Sequence, residues 1–332
     1  MKLKYIFLLL LVAAFISCKK EVDPSTTTNE TPSAPVKVPA FARDSAYAFV
    51  KKQVSFGPRV PGTDAHKAMR QWVVQKLKSY GASVQEQSFK AETATIGEVR
   101  ATNIIASFNP TYARRVVLAA HWDTRFAADE DDQDVNKPID GADDGGSGVG
   151  ALLEIARLIQ QNPISLGIDI VLFDVEDQGA SDQGSETWCL GSQYWAQNPH
   201  VKGYRAEYGI LLDMVGAKGA VFQREDITGV YPPNKVSRIQ QHYDQVWALA
   251  KAMGKSALFL DSKTRPITDD HYFVNLYTEI PMIDIIHKPV SNPGGFGPHW
   301  HTHDDNMDVI DPNVLGAVGQ VVTAYVYNSS AK

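Results

Sequence analysis

Apolar side chains recur along this chain at two spacings, and the alternation between them sets the expected architecture. Between residues 65 and 80, Ala65, Met69, Trp72, Val73 and Leu77 keep the period of one helical face. Thr63 or Asp64 can cap that helix and Gly81 can close it. Near-continuous apolar runs follow at 102–108 and 115–120, then a helical period over 149–160, then Ile168-Asp169-Ile170-Val171-Leu172-Phe173. Further strands are expected at 208–214 and 281–286, and further helices near 236–253 and 312–327. Strands that lack polar alternation are covered on both faces, as parallel strands separated by helices are. The pattern predicts a single α/β domain over 41–332, a three-layer α/β/α sandwich with a central mixed, mostly parallel sheet. Its ligand site is expected outside the carboxyl ends of the strands.

The polar residues can be set against that expectation. His121-Trp122-Asp123 follows the strand that ends at Ala120, Glu176-Asp177 follows Phe173 and Asp174, and Asp213 closes the run through Leu212. Several strands thus deliver acids and a histidine to one rim. Histidine nitrogens and carboxylate oxygens are the donors zinc takes in catalytic sites. The metal candidates are Asp144 in the turn Gly141-Ala142-Asp143-Asp144-Gly145-Gly146, the pair Glu176-Asp177, and His301. Glycine-rich turns are usually loop punctuation and adjacent acids usually a solvated face. The pair differs because it directly follows a buried strand, where one acid can hold a metal and the other move protons. Spacing leaves open which of His287, His299, His301 and His303 is the ligand. The acidic run 129–134, read as a calcium loop from Asp132, puts Lys137 where a glycine is required, and a solvated surface loop is expected there instead.

Composition narrows the classes. With 332 residues, 44% hydrophobic and 21% charged, the chain has ordinary globular proportions. A net charge of −6 gives no general attraction to nucleic acid or anionic lipid. Two cysteines, Cys18 and Cys189, exclude a disulfide scaffold and a cysteine-rich zinc module. Lys2 and Lys4 precede an apolar run at 5–16, short against the ~20 residues of a membrane span. Residues 1–17 are therefore expected to be a secretory signal. Phe15-Ile16-Ser17-Cys18 resembles a bacterial lipoprotein cleavage box, which makes Cys18 the expected lipidation site. Residues 18–40, rich in Thr, Ser and Pro, are expected to be a flexible tether holding an exported periplasmic or cell-envelope protein. Cys189, left without a partner, is expected to be a small buried apolar residue. A monomer is expected, with no membrane contact beyond the lipid.

In combination, the motifs resemble the M28-type zinc aminopeptidase superfamily, and more closely its glutaminyl cyclase branch. They are His121-x-Asp123, Gly141-Ala142-x-Asp144, Phe173-Asp174-x-Glu176-acid, Leu211-Leu212-Asp213-x-x-Gly216, Asp269-Asp270-His271 and Trp300-His301-Thr302-x-Asp304-Asp305-Asn306. The last resembles the cyclases, where the aminopeptidases have a Tyr-His-Thr type sequence. The resemblance covers nearly the whole domain from Phe56 onward and implies the zinc aminopeptidase-like fold.

It also implies that Asp144, Asp177 and His301 hold one zinc, with Glu176 as proton shuttle and Asp213 and Asp269 as assisting carboxylates. Trp300, Phe296 and Trp188 would line a pocket for peptides or proteins that begin with glutamine. The same resemblance admits an aminopeptidase with two zinc ions, His121 and Asp213 holding the second and Asp144 bridging. It admits, too, an inactive binding lipoprotein of the same fold. The chain departs from the animal cyclases at Asp177, where they carry glutamate, which puts the ligand geometry in question.

Overall fold

Hydrophobic strand residues that face both ways need helices on both sides, and the computed structural model of the chain supplies them. It describes residues 37–292 and 294–331. Cys18, the signal and most of the tether lie outside the described residues. In chain order come α1 (Arg43–Val54), α2 (Asp64–Ser79), β1 (Ser83–Thr93), β2 (Gly97–Phe108), β3 (Arg115–His121), α3 (Gly146–Gln161) and β4 (Gly167–Phe173). After them run α4 (Leu190–Gln197), β5 (Gly209–Asp213), β6 (Phe222–Glu225), α5 (Pro233–Ala252), β7 (Phe259–Thr264), α6 (Asp270–Tyr277), β8 (Met282–Ile286) and α7 (Pro312–Ser330).

Six strands form the central sheet in the order β1-β2-β4-β3-β5-β8. Strands β4, β3, β5 and β8 are mutually parallel. Only β2 runs against the others, antiparallel to both β1 and β4. β6 and β7 pair separately as a small parallel sheet.

The two-residue period of a strand divides the core in two. Ile168, Ile170 and Leu172 join Leu118, Ala120, Ile210, Leu212, Ile283 and Ile285 in the layer that holds residues of α2, α3, α5 and α7. The intervening Val171 and Phe173 join Val117, Ala119, Leu211 and Met282 against Trp195 of α4 and Val274 of α6. Helix α3 lies so close to the sheet that a Cβ on Gly148 would sit 2.1 Å from the Leu212 carbonyl oxygen. Thr63 is the cap of α2, its Oγ1 accepting from the His66 amide at 3.2 Å.

The carboxyl ends of the parallel strands share one rim. His121 pairs in register with Phe173, and Asp213 with Ile286. Among the described residues, no helix is long and apolar enough to cross a membrane.

Candidate active site

Each strand end hands its chain to a turn that aims a polar side chain over the rim. His121 is the last residue of β3. After β4, Val175 adopts a left-handed conformation (φ 51°) and turns Glu176 and Asp177 toward the rim. Asp213 ends β5, and Met214 beyond it is again left-handed (φ 46°). Asp144 precedes Gly145, which has a φ of 76° and where a Cβ would sit 2.9 Å from the His121 ring. Asp269 is the N-cap of α6 and accepts from the Asp270 amide.

Asp144 stands between two clusters. Its Oδ1 lies 2.8 Å from His121 Nε2, which also lies 3.3 Å from Asp213 Oδ1. Its Oδ2 faces His301 Nε2 at 3.9 Å, and that nitrogen lies 2.9 Å from Asp177 Oδ1. The sets His121–Asp144–Asp213 and Asp144–Asp177–His301 each bring one donor atom per residue within 4.8 Å of the others. Asp177 reaches its cluster although its side chain is a methylene shorter than glutamate.

An outer shell fixes these groups. Asp123 accepts from the amides of Glu176 (3.1 Å) and Asp177 (3.3 Å) and from Gln178 Nε2 (3.1 Å), so one buried carboxylate orients the acid pair. Asp305 accepts from the amides of Asp143 (2.7 Å) and Asp144 (3.1 Å). Arg125 donates to the carbonyls of Asp177 and Gly179. Metal-ligating side chains are commonly held by such partners.

Burial and crowding raise the proton affinity of several of these groups. Burial first, then Asp144 and Asp269 against the opposing His121, push Asp213 up to about 7. Burial also drives Glu176 well above the carboxylate range, with Asp177 and Asp269 adding to it against His121. Burial works against a charged His301, yet Asp177 and Asp129 outweigh it and raise the ring to about 9. Asp177 Oδ2 is buried without a hydrogen-bond partner among the described residues, and His121 Nε2 and Asp213 Oδ1 are close to each other and to Asp144 without the geometry of a hydrogen bond. Hard carboxylate oxygens and imidazole nitrogens left over in this way fit a divalent metal such as zinc.

Beside the clusters opens a cavity of about 330 Å³. Trp300 stacks on His301 at 3.7 Å between ring centroids, with Phe296 at 4.9 Å from Trp300. Trp188 lies 6.1 Å from the His301 ring. Glu176, Asp213 and Asp269 all line the same cavity.

Residues 103–326 match the model of peptidase family M28. The chain belongs to that family. It is similar to the crystal structure of Porphyromonas gingivalis glutaminyl cyclase at 50% identity, over 86% of this chain and 98% of the other, with a TM-score of 0.81. A Zn-dependent exopeptidase from Parabacteroides distasonis is 46% identical over 88% of this chain and all of the other, with a TM-score of 0.83. The glutaminyl-peptide cyclotransferase of Bothrops jararaca is 26% identical over 294 residues, 81% of this chain and 76% of that protein.

In this M28 chain, Asp144, Glu176, Asp177, His301, His121, Asp213, Asp269, Trp300, Phe296 and Trp188 lie together at one rim, whereas the other candidate histidines pair elsewhere, His299 with Asp143, His303 with Asp131 and His287 with the Val221 backbone. The acidic run is the exposed surface loop expected, and two of its acids reach back to the site, Asp129 to His301 Nδ1 at 3.0 Å and Asp131 to His303 Nδ1 at 2.8 Å. Cys189 needs correcting in part. It is fully buried as expected, but its thiol donates to Glu176 Oε1 at 3.2 Å. Neither contact leaves a trace in local spacing, because the partners are 172 and 13 residues apart.

Proposed function

We propose that this M28 enzyme is a glutaminyl-peptide cyclotransferase, converting the N-terminal glutamine of peptides and proteins to pyroglutamate with release of ammonia. The observation that carries this reading is the aromatic cavity wall: Trp300 flat on His301, with Phe296 and Trp188 nearby, facing Glu176 and Asp269. Such walls suit an uncharged amide side chain and keep water from competing with an internal nucleophile. Zinc held by Asp144, Asp177 and His301 would supply a Lewis acid for the side-chain carbonyl.

The remaining work falls to the chain's own side chains. Asp213 and Asp269 hold the amine and amide hydrogens of the substrate in place. The neutral α-amine attacks the δ-carbon, forming the ring C–N bond while the bond to the side-chain nitrogen breaks. Glu176 takes the proton lost by the attacking nitrogen and returns it to the departing one, which leaves as ammonia. Its raised affinity for protons suits a group that must both accept and release one. Because the nucleophile is tethered to its target, little further activation is required.

One observation favours a second reading, a zinc aminopeptidase. His121, Asp144 and Asp213 form a complete second metal cluster that shares Asp144 with the first. The test is a paired-product assay. A peptide beginning with glutamine is expected to give ammonia and pyroglutamate, with one zinc per chain. Free amino acid from a leucine-initiated peptide, with two zinc ions per chain, would select the aminopeptidase. Export and lipid anchoring through Cys18 belong to the same proposal, supported by the apolar run at 5–16, Ser17-Cys18 and the polar tether.

A further inference from the structure

We infer that Cys189 is a positioning residue for Glu176, its thiol setting the direction in which the shuttle carboxylate points; this rests on the reading of Glu176 as the proton shuttle. The thiol donates to Glu176 Oε1 at 3.2 Å. Among the described residues it is the donor that holds this carboxylate, whose other oxygen lies 3.8 Å from His121 Nδ1. The thiol, Glu176 and Asp269 offer atoms that all lie within 4.8 Å of one another, so the contact sits directly behind the proton-transfer site.

The backbone holds the thiol rigidly. The Cys189 amide donates to the Glu176 carbonyl at 2.9 Å, and the Leu190 amide to the Val175 carbonyl at 3.1 Å. The Cys189 carbonyl accepts from Ser192 Oγ and from the Gln193 amide, each at 3.0 Å. Both Val175 and Cys189 are left-handed, with φ of 51° and 56°. A glycine would adopt that conformation at Cys189 without cost, so the side chain is kept against a backbone penalty. What it gains is the contact with Glu176.

The chemistry of the contact fits a shuttle. A thiol is a weak donor, so it can select one carboxylate rotamer while binding neither protonation state strongly. A shuttle carboxylate free to swing would spend less time in line with the two nitrogens it must serve. Cys189 lies outside the cavity lining and acts only through Glu176.

Steady-state kinetics on a glutamine-initiated peptide test this with the full-length, zinc-loaded enzyme. Cys189→Ala is expected to lower kcat by ~3–10-fold, the scale of one lost hydrogen bond, with KM nearly unchanged. Cys189→Ser restores the donor and is expected to recover most of the rate. Glu176→Gln is the reference and should be nearly inactive. If Glu176→Gln is inactive but Cys189→Ala turns over at the wild-type rate, the positioning role is overturned and the shuttle reading stands. If Glu176→Gln keeps full turnover, the shuttle reading itself fails. Equal loss in Cys189→Ala and Cys189→Ser would mean that packing, and not the donor, was disturbed, and would also overturn the inference. Should Cys189→Ala not fold, Raman spectroscopy supplies the measurement. The S–H stretch in the difference spectrum between wild type and Cys189→Ser is expected at lower frequency than the one obtained in a Glu176→Ala background. An identical frequency in the two would overturn it.

Discussion

Asp129 lies 3.0 Å from His301 Nδ1 while Asp177 faces the opposite ring nitrogen at 2.9 Å. The imidazole is therefore held from behind by one carboxylate and presented to the metal cluster by its other edge. With a metal bound, an Nδ1–H donated to Asp129 would keep the ring turned so that Nε2, having given up its proton, ligates. Arg125 pairs with Asp129 in turn, and also donates to the carbonyl of Asp177, tying both sides of the cluster to one guanidinium.

Removing that support should weaken the metal more than the fold. Asp129→Ala is expected to lower zinc affinity by ~10–100-fold, the usual cost of losing an outer-shell partner. Competition with a chelator of known affinity measures it directly. Wild-type affinity in the variant would mean that His301 is oriented by its stacking on Trp300 alone.

Much of this arrangement could be read from the sequence because the four parallel strands are buried on both faces. Their runs of Val, Ile and Leu stand out, and the polar residues that follow or close them at Asp123, Glu176 and Asp213 mark the rim. What escaped was of a different physical kind. β1 is an edge strand whose Glu86, Lys90 and Glu92 face water, so its alternation is weak and no apolar run announces it. The short helix α6 holds only eight residues, and the Asp269 that caps it was legible as a site residue before it was legible as a cap. Asp129 and Cys189 act across the tertiary structure, on partners that no local period can reveal.

The packing of α3 on β5 gives a stability prediction. The Cβ of Gly148→Ala would meet the Leu212 carbonyl oxygen at 2.1 Å and the Ala120 side chain at 2.9 Å, both inside the core. Backbone must move, and overpacking of this sort costs ~1–3 kcal/mol or more. Urea unfolding is expected to show a loss of at least ~3 kcal/mol, given that the obstacle is backbone. An unchanged midpoint would mean that α3 can slide on the sheet, and Asp144 at its start would then move with it.

The amino-terminal proposal is tested separately from the chemistry. Growth with an alkyne-tagged fatty acid is expected to label the wild-type chain and to leave Cys18→Ala unlabelled. The unlabelled variant should also partition into the aqueous phase of a detergent extraction. Equal labelling of both chains would place the lipid elsewhere or remove it from the account.

The buried cluster behind Asp269 should make stability depend on pH in one direction. His271 lies on α6 with Nε2 2.9 Å from Glu225 Oε1 of β6 and Nδ1 3.7 Å from Asp284 Oδ2 of β8. Burial is the largest influence and opposes the imidazolium, but Glu225 and then Asp269 more than offset it, so His271 is raised above its usual 6.5. A raised histidine contributes its full stability below that ordinary value and loses it as pH climbs through the folded one. Asp284 acts in the same sense. Burial first, then Asp269 and Glu225, drive it well above the carboxylate range, so ionising it as pH rises also costs stability. Wild type should therefore exceed His271→Gln in unfolding free energy by the most below pH 6.5, and the gap should shrink steadily as pH rises above it. Urea unfolding on both sides of that pH measures the gap. A difference that stayed constant with pH would show that His271 is neutral throughout and holds the cluster by hydrogen bonding alone.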